Sequence, residues 1–349
     1  MLCNIAGVPL KWEKTRGGFD CDYIGYRFCW SNLTGGIAEQ RAAWLSNWCI
    51  TTAKAGRVSI GDCKAAVGRF SFSAALLRNI LPFLGPIYSW MAVLKDDRTY
   101  AIPAAIIIIL QWLSEQVMKK YMVDLLYQRP RKLDKFFKAD AKAEGEDVII
   151  GGFEVSRPDG SLKDCRWFSI RITRQNCPWA YVRHDEAYRA ISALELFATL
   201  LCVMLFNEES STINRAVMIL PGITDNRGNE SLLVKHMTSK YPLYIVLLEL
   251  VEQLQRRGLE LDLKWQGRER NEAADALTNN EFDAFDMRKR IVPDMHRLAW
   301  SILPKLVVQA NQLHQEISIA KKRLLNESRT VTVHKRRRKT EPLRTRDPW

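Results

Sequence analysis

Tyr188–Phe206, YRAISALELFATLLCVMLF, is the stretch that decides the fold. It holds neither Pro nor Gly, is rich in helix formers and is apolar around nearly its whole circumference, so it reads as one helix buried on all sides. Beyond Arg189 its single charge is Glu195. Ile191, Ala198 and Thr199, one helical turn away, and Cys202, a turn further, supply no cation. A carboxylate so placed is costly unless something positive faces it, such as a metal ion or a chain-distant arginine, or unless it reaches the helix edge. Which of these holds depends on whether other carboxylates converge on it.

Around this helix lies a chain of 349 residues, long enough for two or three domains with cores of their own. A hydrophobic content of 47% and a charged content of 26% are those of a globular protein and exclude a disordered one. The net charge of +13 is unevenly spread: residues 1–130 carry 15 Lys/Arg against 9 Asp/Glu, 131–287 carry 21 against 25, 288–320 carry 5 against 2, and 321–349 carry 11 against 3. An acidic middle between basic flanks suits a site that gathers cations beside a surface holding nucleic acid; a charged surface with a solvated basic tail has the same pattern. The eight Cys include no CxxC pair, and Cys202 lies inside the apolar helix, which points to reduced thiols in an intracellular protein. MLCNIAGVPLKWEK at the N-terminus lacks the charged-then-apolar design of a signal peptide, so secretion is not expected and the compartment is nucleus or cytoplasm. The run AIPAAIIIILQWL at 101–113 is too short for a bilayer and is broken by Pro103 and Gln111, so it is read as a core helix, with no membrane partner.

Residues 1–35 read as short strands, GVPLKWEKTRGG and DYIGYRFCW, with Gly17-Gly18 as the turn between them. Residues 38–64 and 65–98 are helical in pattern, and a further helix is expected over 104–126. The charged, Pro-containing QRPRKLDKFFK at 128–138 reads as a boundary. From Asp140 the rhythm changes. Val148–Ser156 and Arg166–Thr173 read as strands around the turn signal Pro158-Asp159-Gly160, and Trp179–Val182 as a third extended piece. After the Glu195 helix come a buried strand at Ala216–Leu220, an amphipathic helix over 242–257, a strand at Leu259–Trp265 alternating with period two, and a helix from Asn271. One or two helices interrupted at Pro304 follow. The end of the chain, HKRRRKTEPLRTRDPW, fits nuclear localisation, nucleic-acid tethering or a disordered basic end.

Four acidic residues stand at four chain-distant element ends: Asp140 at or just before the first strand, Glu195 in the buried helix, Asp225 after the strand AVMIL, and Asp275 early in the last helix. Each alone has an ordinary alternative. Asp225 in TDN suits an N-cap or turn, Asp275 in AADAL an exposed helix acid, and Asp140 has Glu144, Glu146 and Asp147 as rivals.

Taken in order, Asp140 with Gly151-Gly152, the helix Glu195, Thr224-Asp225-Asn226, and Asn271-x-x-Ala274-Asp275-x-Leu277 resemble the ribonuclease H domain attached to reverse transcriptases of retroelements. The resemblance covers about residues 135–285 and implies an α/β fold, ribonuclease H-like, with a mixed five-stranded sheet and helices. It implies that Asp140, Glu195, Asp225 and Asp275 hold two Mg²⁺ (or Mn²⁺) ions, Asp140 bridging both, and that the substrate is the RNA strand of an RNA–DNA hybrid. Two such ions about 3.5–4 Å apart activate water and neutralise the leaving oxygen, and hard cations demand oxygen ligands. Asn226, Arg227, Arg171, Arg174, Gln175, Arg268 and Arg270 are candidate nucleic-acid contacts. Family members often carry a His just before the last Asp; here WQGRERNEAAD has none, which implies slower turnover or substitution by Arg268 or Arg270.

The first 100 residues resemble the end of a reverse transcriptase. GVPLKWEKT with Lys14 is similar to a palm motif, DYIGYRF with Tyr23-Ile24-Gly25 to the primer-grip hairpin, and LPFLGPIYSW to thumb and connection helices. This gives a palm-end remnant at 1–35, a mainly helical thumb/connection-like region at 36–130, the ribonuclease H-like domain at 131–287, C-terminal helices at 288–325 and a basic tail at 326–349. Without the polymerase Asp-Asp motif the chain alone is not expected to polymerise; it reads as a fragment, a separate exon or a degenerate element copy, associating with a polymerase portion. The competing expectations are a catalytically degenerate nucleic-acid-binding remnant, and another nuclease or an integrase on the same fold.

Overall fold

The computed structural model describes residues 17–125, 131–145, 147–156, 160–182, 186–209 and 217–330. The palm-like motif with Lys14, the turn at Pro158-Asp159 and the basic tail beyond Thr330 lie outside them.

The chain begins with β1 (Asp20–Tyr23), β2 (Tyr26–Cys29) and β3 (Thr34–Ile37), an antiparallel meander closed by β6 (Met122–Asp124). The turn joining β1 to β2 is Ile24-Gly25, both at positive φ, so DYIGYRFCW folds as a hairpin and not as one strand; the strand expected before Gly17-Gly18 falls largely on residues outside the described ones. Between β3 and β6 run α1 (Glu39–Ala55), β4 (Arg57–Ser59), α2 (Ile60–Ser73), α3 (Leu81–Met91), β5 (Thr99–Ala101) and α4 (Ala104–Lys119). Pro82 sits in the first turn of α3, where its missing N–H costs nothing, although Pro86 is inside the helix.

The second half holds β7 (Phe136–Glu144), β8 (Asp147–Val155), β9 (Arg166–Arg171), α5 (Ile191–Phe206), β10 (Met218–Thr224), α6 (Arg227–Lys235), α7 (Leu243–Arg257), β11 (Leu259–Trp265), α8 (Glu272–Thr278) and α9 (Leu303–Thr330). The five strands form one mixed sheet in the order β11-β10-β7-β8-β9, with β7, β8 and β9 antiparallel and β10 parallel to both β7 and β11. This is the mixed five-stranded α/β arrangement that the family resemblance implies.

Adjacent glycines let helices reach both faces of this sheet. Successive strand residues point to opposite faces. A Cβ on Gly151 would lie 2.8 Å from Cβ of Leu277 in α8, and one on Gly152 would lie 2.5 Å from Sγ of Cys202 in α5. One continuous core joins α5, α7 and the sheet to the helices of the first half, from Ile37 to Ile317. Phe83 stacks on Trp112 at 3.4 Å, and Trp112 Nε1 donates to Glu252 of α7 at 2.9 Å. A smaller cluster around Trp167, Leu277 and Phe285 fills the α8 side. The stretch Ala187–Phe206 is apolar and long enough to cross a bilayer, yet 78% of its most apolar window is buried in the fold.

Several elements differ from the sequence expectation. Asp140 does not open the strand Val148–Ser156; it sits in the middle of its own strand, β7, paired with Gly151 of β8. The boundary expected over 128–138 thus runs into the sheet. Trp179–Val182 is not extended: Pro178 starts a single 3-10 turn, which seats Trp179 edge-on to Phe197 at 5.2 Å. Of the strand expected at 216–220, Ala216 lies outside the described residues and the strand runs from Met218 through Pro221 to Thr224; no clear apolar period marks α6, and α9 is one helix with Pro304 in its first turn.

Candidate active site

Parallel pairing of β10 with β7 runs Gly222 to Phe137 and Ile223 to Lys138. Carried two residues on, the same register sets Asp225 beside Asp140, at the point where β10 ends and the chain turns into α6. Asn226 makes that turn: its Oδ1 accepts from the Asn229 N–H at 3.2 Å as the N-cap of α6. Trp265 Nε1 donates to the Asp225 carbonyl at 2.9 Å, which fixes the loop from the β11 side. The helix α5 presses Glu195 onto the same strands. Carboxylate oxygens of Asp140, Glu195 and Asp225 all lie within 4.8 Å of one another.

Asp275 stands outside that triad, on the first turns of α8. Its Oδ2 accepts from Asn279 Nδ2 at 2.9 Å, and it is close enough for its charge to raise the pKa of Asp140. Thr278 of the same helix donates to Asp140 Oδ2 at 2.9 Å. Asn271, at the start of the N-x-x-A-D motif, is 1% exposed and donates to the Ala139 carbonyl at 3.4 Å. Its contribution is to pin α8 against the strand that carries Asp140.

The electrostatics are those of acids forced together out of water. Burial pushes Asp140 up to about 6; the Thr278 hydroxyl pulls it back, and the charges of Asp225 and Asp275 push it further up. Burial pushes Glu195 up to about 10, with Asp140 and Asp225 adding to the rise and the Ala141 N–H opposing it. Oε2 of Glu195 is buried with no hydrogen-bond partner among the described residues. At neutral pH, and without a cation, Glu195 therefore holds a proton. Three carboxyl groups gathered within reach of one another, which a bound cation would hold ionised, are the hard oxygen donor set that a divalent cation with oxygen preference requires. The residues present fit such an ion.

Among the candidate nucleic-acid contacts, Arg268 reaches the triad: its Nε lies 3.5 Å from Asp225 Oδ2, with the side chain 83% exposed. Its loop is tied to β7 by Lys138, whose Nζ donates to Gln266 Oε1 at 3.2 Å and to the Arg270 carbonyl at 2.7 Å. Arg270 itself is exposed. Arg227 lies 3.9 Å over the Trp265 ring, next to Asp225. Arg171, Arg174 and Gln175 sit elsewhere, at the end of β9 and in the turn after it; Arg171 pairs with Asp147 at 2.9 Å and Arg174 lies over Tyr181. A groove of about 360 Å³ opens between the start of α5, α6 and the start of α7, lined by Arg189, Ser192, Asn229, Lys235 and Lys240. Sequence patterns did not single out Thr278, Asn279, Trp265 or the groove residues; the i+3 and i+4 spacing from Asp275 was the available signal for the first two.

No protein-family model and no curated protein sequence matches the chain. Among solved structures it is similar to ribonuclease H1 from the halophilic archaeon Halobacterium salinarum NRC-1, at 18% identity over 43% of this chain and 97% of that one, with a TM-score of 0.29. It is also similar to the foamy viral protease-reverse transcriptase dRH in complex with double-stranded DNA, at 9% identity over 71% of this chain and 38% of that one, with a TM-score of 0.25. The chain's own strand order, with helices on both faces, defines a mixed five-stranded α/β fold, and the Asp140, Glu195 and Asp225 oxygens gather where β10 ends.

Proposed function

We propose that the chain is a ribonuclease H-type endonuclease that hydrolyses the RNA strand of RNA–DNA hybrids with two Mg²⁺ or Mn²⁺ ions, and that it derives from a retroelement reverse transcriptase. The observation that supports it most is the triad of Asp140, Glu195 and Asp225, the first two buried and the third half-buried, with an oxygen of Glu195 that has no hydrogen-bond partner among the described residues. When bound, the ions would supply an activated water and neutralise charge on the phosphate. Asp140 and Asp225 would hold them from adjacent strands and Glu195 from the helix. Thr278 keeps Asp140 in one rotamer, and Asp275, steadied by Asn279, adds negative potential at the edge. The basic groove beside α5 offers Arg189, Lys235 and Lys240 to the backbone of the bound duplex, whose 2′-hydroxyls would mark the RNA strand.

A second proposal, a nucleic-acid-binding remnant without catalysis, draws on Arg268 resting against Asp225 and on the loop that lacks a His. Cleavage of end-labelled RNA–DNA hybrid, duplex DNA and duplex RNA by the purified chain separates the two. Mg²⁺-dependent cutting of the hybrid alone, reduced at least about 10²-fold in Asp140→Asn and in Asp225→Asn, is the expected result. Hybrid binding without cutting, or cutting unchanged in both variants, would discard the nuclease assignment. Nuclear or cytoplasmic location and association with a polymerase portion are part of the same proposal.

A further inference from the structure

Lys138, Asp140 and Lys142 are alternate residues of β7 and share one face of the sheet, the face that α8 covers where Leu277 meets Gly151. Each is tied to α8 or to the loop that leads into it. Lys138 Nζ donates to the Arg270 carbonyl at 2.7 Å, Asp140 Oδ2 accepts from Thr278, and Lys142 Nζ donates to Asn279 Oδ1 at 2.9 Å. The helix needs such ties: it is seven residues long, too short to hold itself in water, and Asn279 caps its C-terminal end.

The Lys142 bond does more than anchor. An ammonium can only donate, so Asn279 must turn its amide oxygen to Lys142, which leaves its NH₂ group facing the other way. That NH₂ donates to Asp275 Oδ2 at 2.9 Å. With the amide reversed, its oxygen would meet the carboxylate and its NH₂ the ammonium, and both contacts would repel. The strand that carries Asp140 thus dictates, through one amide, where the Asp275 carboxylate stands. Its Oδ2 is engaged, and no described residue donates to its Oδ1. Lys142 also lies 3.2 Å from Glu144, whose side chain is 76% exposed; with three donors the lysine serves both partners.

We propose that Lys142 is a positioning residue for the second of the two cations: by fixing the Asn279 amide it holds Asp275 with one oxygen spare for that ion. This role rests on the two-ion nuclease proposal. It differs in sign from a plain electrostatic one. A lysine acting by charge alone repels a cation, so its removal would tighten binding, whereas removal of a lysine acting through Asn279 weakens it.

The test is calorimetric titration of Mn²⁺ into the full chain without nucleic acid, for the unsubstituted protein, Lys142→Met, Asn279→Leu and the double variant. The unsubstituted chain is expected to show a tight and a weaker class of site. Each single variant should weaken the second class about tenfold or more and leave the tight class within about twofold. The double variant should match Asn279→Leu, because Lys142 has no route to Asp275 once the amide is gone. Lys142→Arg, which still donates to Asn279, should restore part of the affinity. In the cation-free chain the Asn279 side-chain NH₂ signals in a ¹⁵N NMR spectrum, assigned by their loss in Asn279→Leu, should shift in Lys142→Met. A weaker class unchanged or tightened in Lys142→Met, equal losses from both classes, losses that add in the double variant, unshifted NH₂ signals, or one class of site in the unsubstituted chain overturns the proposal. In any of these cases a tight class that Asp140→Asn abolishes leaves the nuclease proposal standing, whereas the absence of all Mn²⁺ binding removes both.

Discussion

Two helix glutamates, Glu195 of α5 and Glu249 of α7, are buried to nearly the same degree and treated in opposite ways. Glu249 is 0% exposed, and its two oxygens accept from the backbone N–H groups of Ser301, Ile302 and Leu303 at 2.7–2.9 Å and from Gln253 Nε2 at 2.6 Å. Those N–H groups open α9, so the carboxylate works as a remote N-cap for that helix. Glu195, 5% exposed, has the Ala141 N–H, an orphaned Oε2 and two further acids for neighbours. Where a buried acid serves packing, the fold surrounds it with donors; at the end of β10 the fold withholds them and adds negative charge. The second arrangement stabilises nothing in the protein alone and makes sense as a place for a cation.

Substitution should separate the two glutamates by sign. Glu249→Ala is expected to cost about 3–5 kcal/mol in denaturant unfolding, because it leaves the first turn of α9 unpaired inside the core. Glu195→Gln is expected to stabilise the cation-free protein by about 1–3 kcal/mol at pH 8, since it removes a group that must keep a proton to stay buried. Equal losses from both would break the contrast.

The pH dependence follows from the same difference. The folded pKa values of Glu195, about 10, and Asp140, about 6, lie above their ordinary values of 4.5 and 3.8, so the native state binds more protons than the unfolded chain between those limits. The contribution of these two groups to the stability of the cation-free protein should therefore be greatest in acid and fall as pH rises from about 4, with the Asp140 part ending near 6 and the Glu195 part continuing toward 10. Urea midpoints across that range check it: Glu195→Gln should flatten the curve above pH 6, whereas a curve rising through that window would refute the assignment. The smallest effect belongs to Arg268. As an exposed partner of Asp225 it adds little to stability, but Arg268→Ala should tighten divalent-cation binding by about two- to fivefold, the scale of an exposed ion pair. Weaker binding in that variant would mean that the arginine assists the ion and does not compete with it.

The buried helix, the two flanking strand-helix pairs and the N-x-x-A-D helix were legible in the sequence because their apolar residues repeat with a clear period. The strand that carries Asp140 was not. Its sequence FFKADAKAE does alternate, but the inward positions Ala139 and Ala141 are small residues of low strand propensity, and the run resembles a charged linker. The small side chains have a reason: α5 packs directly on this strand, and bulk there would push Glu195 away from Asp140. The helix α6 escaped notice for a related cause, since RGNESLLVK has a short apolar stripe and a Gly in its first turn; the Asn226 cap was its one clear signal. Of the site, Glu195 could be nominated as the single charge in a buried helix and Asp225 from its place after a buried strand, whereas Asp140, expected at a strand start, lies in the middle of one. That Asp275 stands to one side, and that Thr278 and Asn279 hold the two aspartates of strand and helix, depended on the approach of α8 across Gly151, which no local pattern encodes.

Titration of Mg²⁺ into the cation-free full chain at pH 8, in two buffers of different ionisation enthalpy, tests most directly whether the triad awaits a cation. Because Glu195 holds a proton there and a metal ligand must lose it, binding should release about one proton per chain, and Glu195→Gln should abolish that release. No binding, binding without proton release, or the same release in Glu195→Gln would contradict the account.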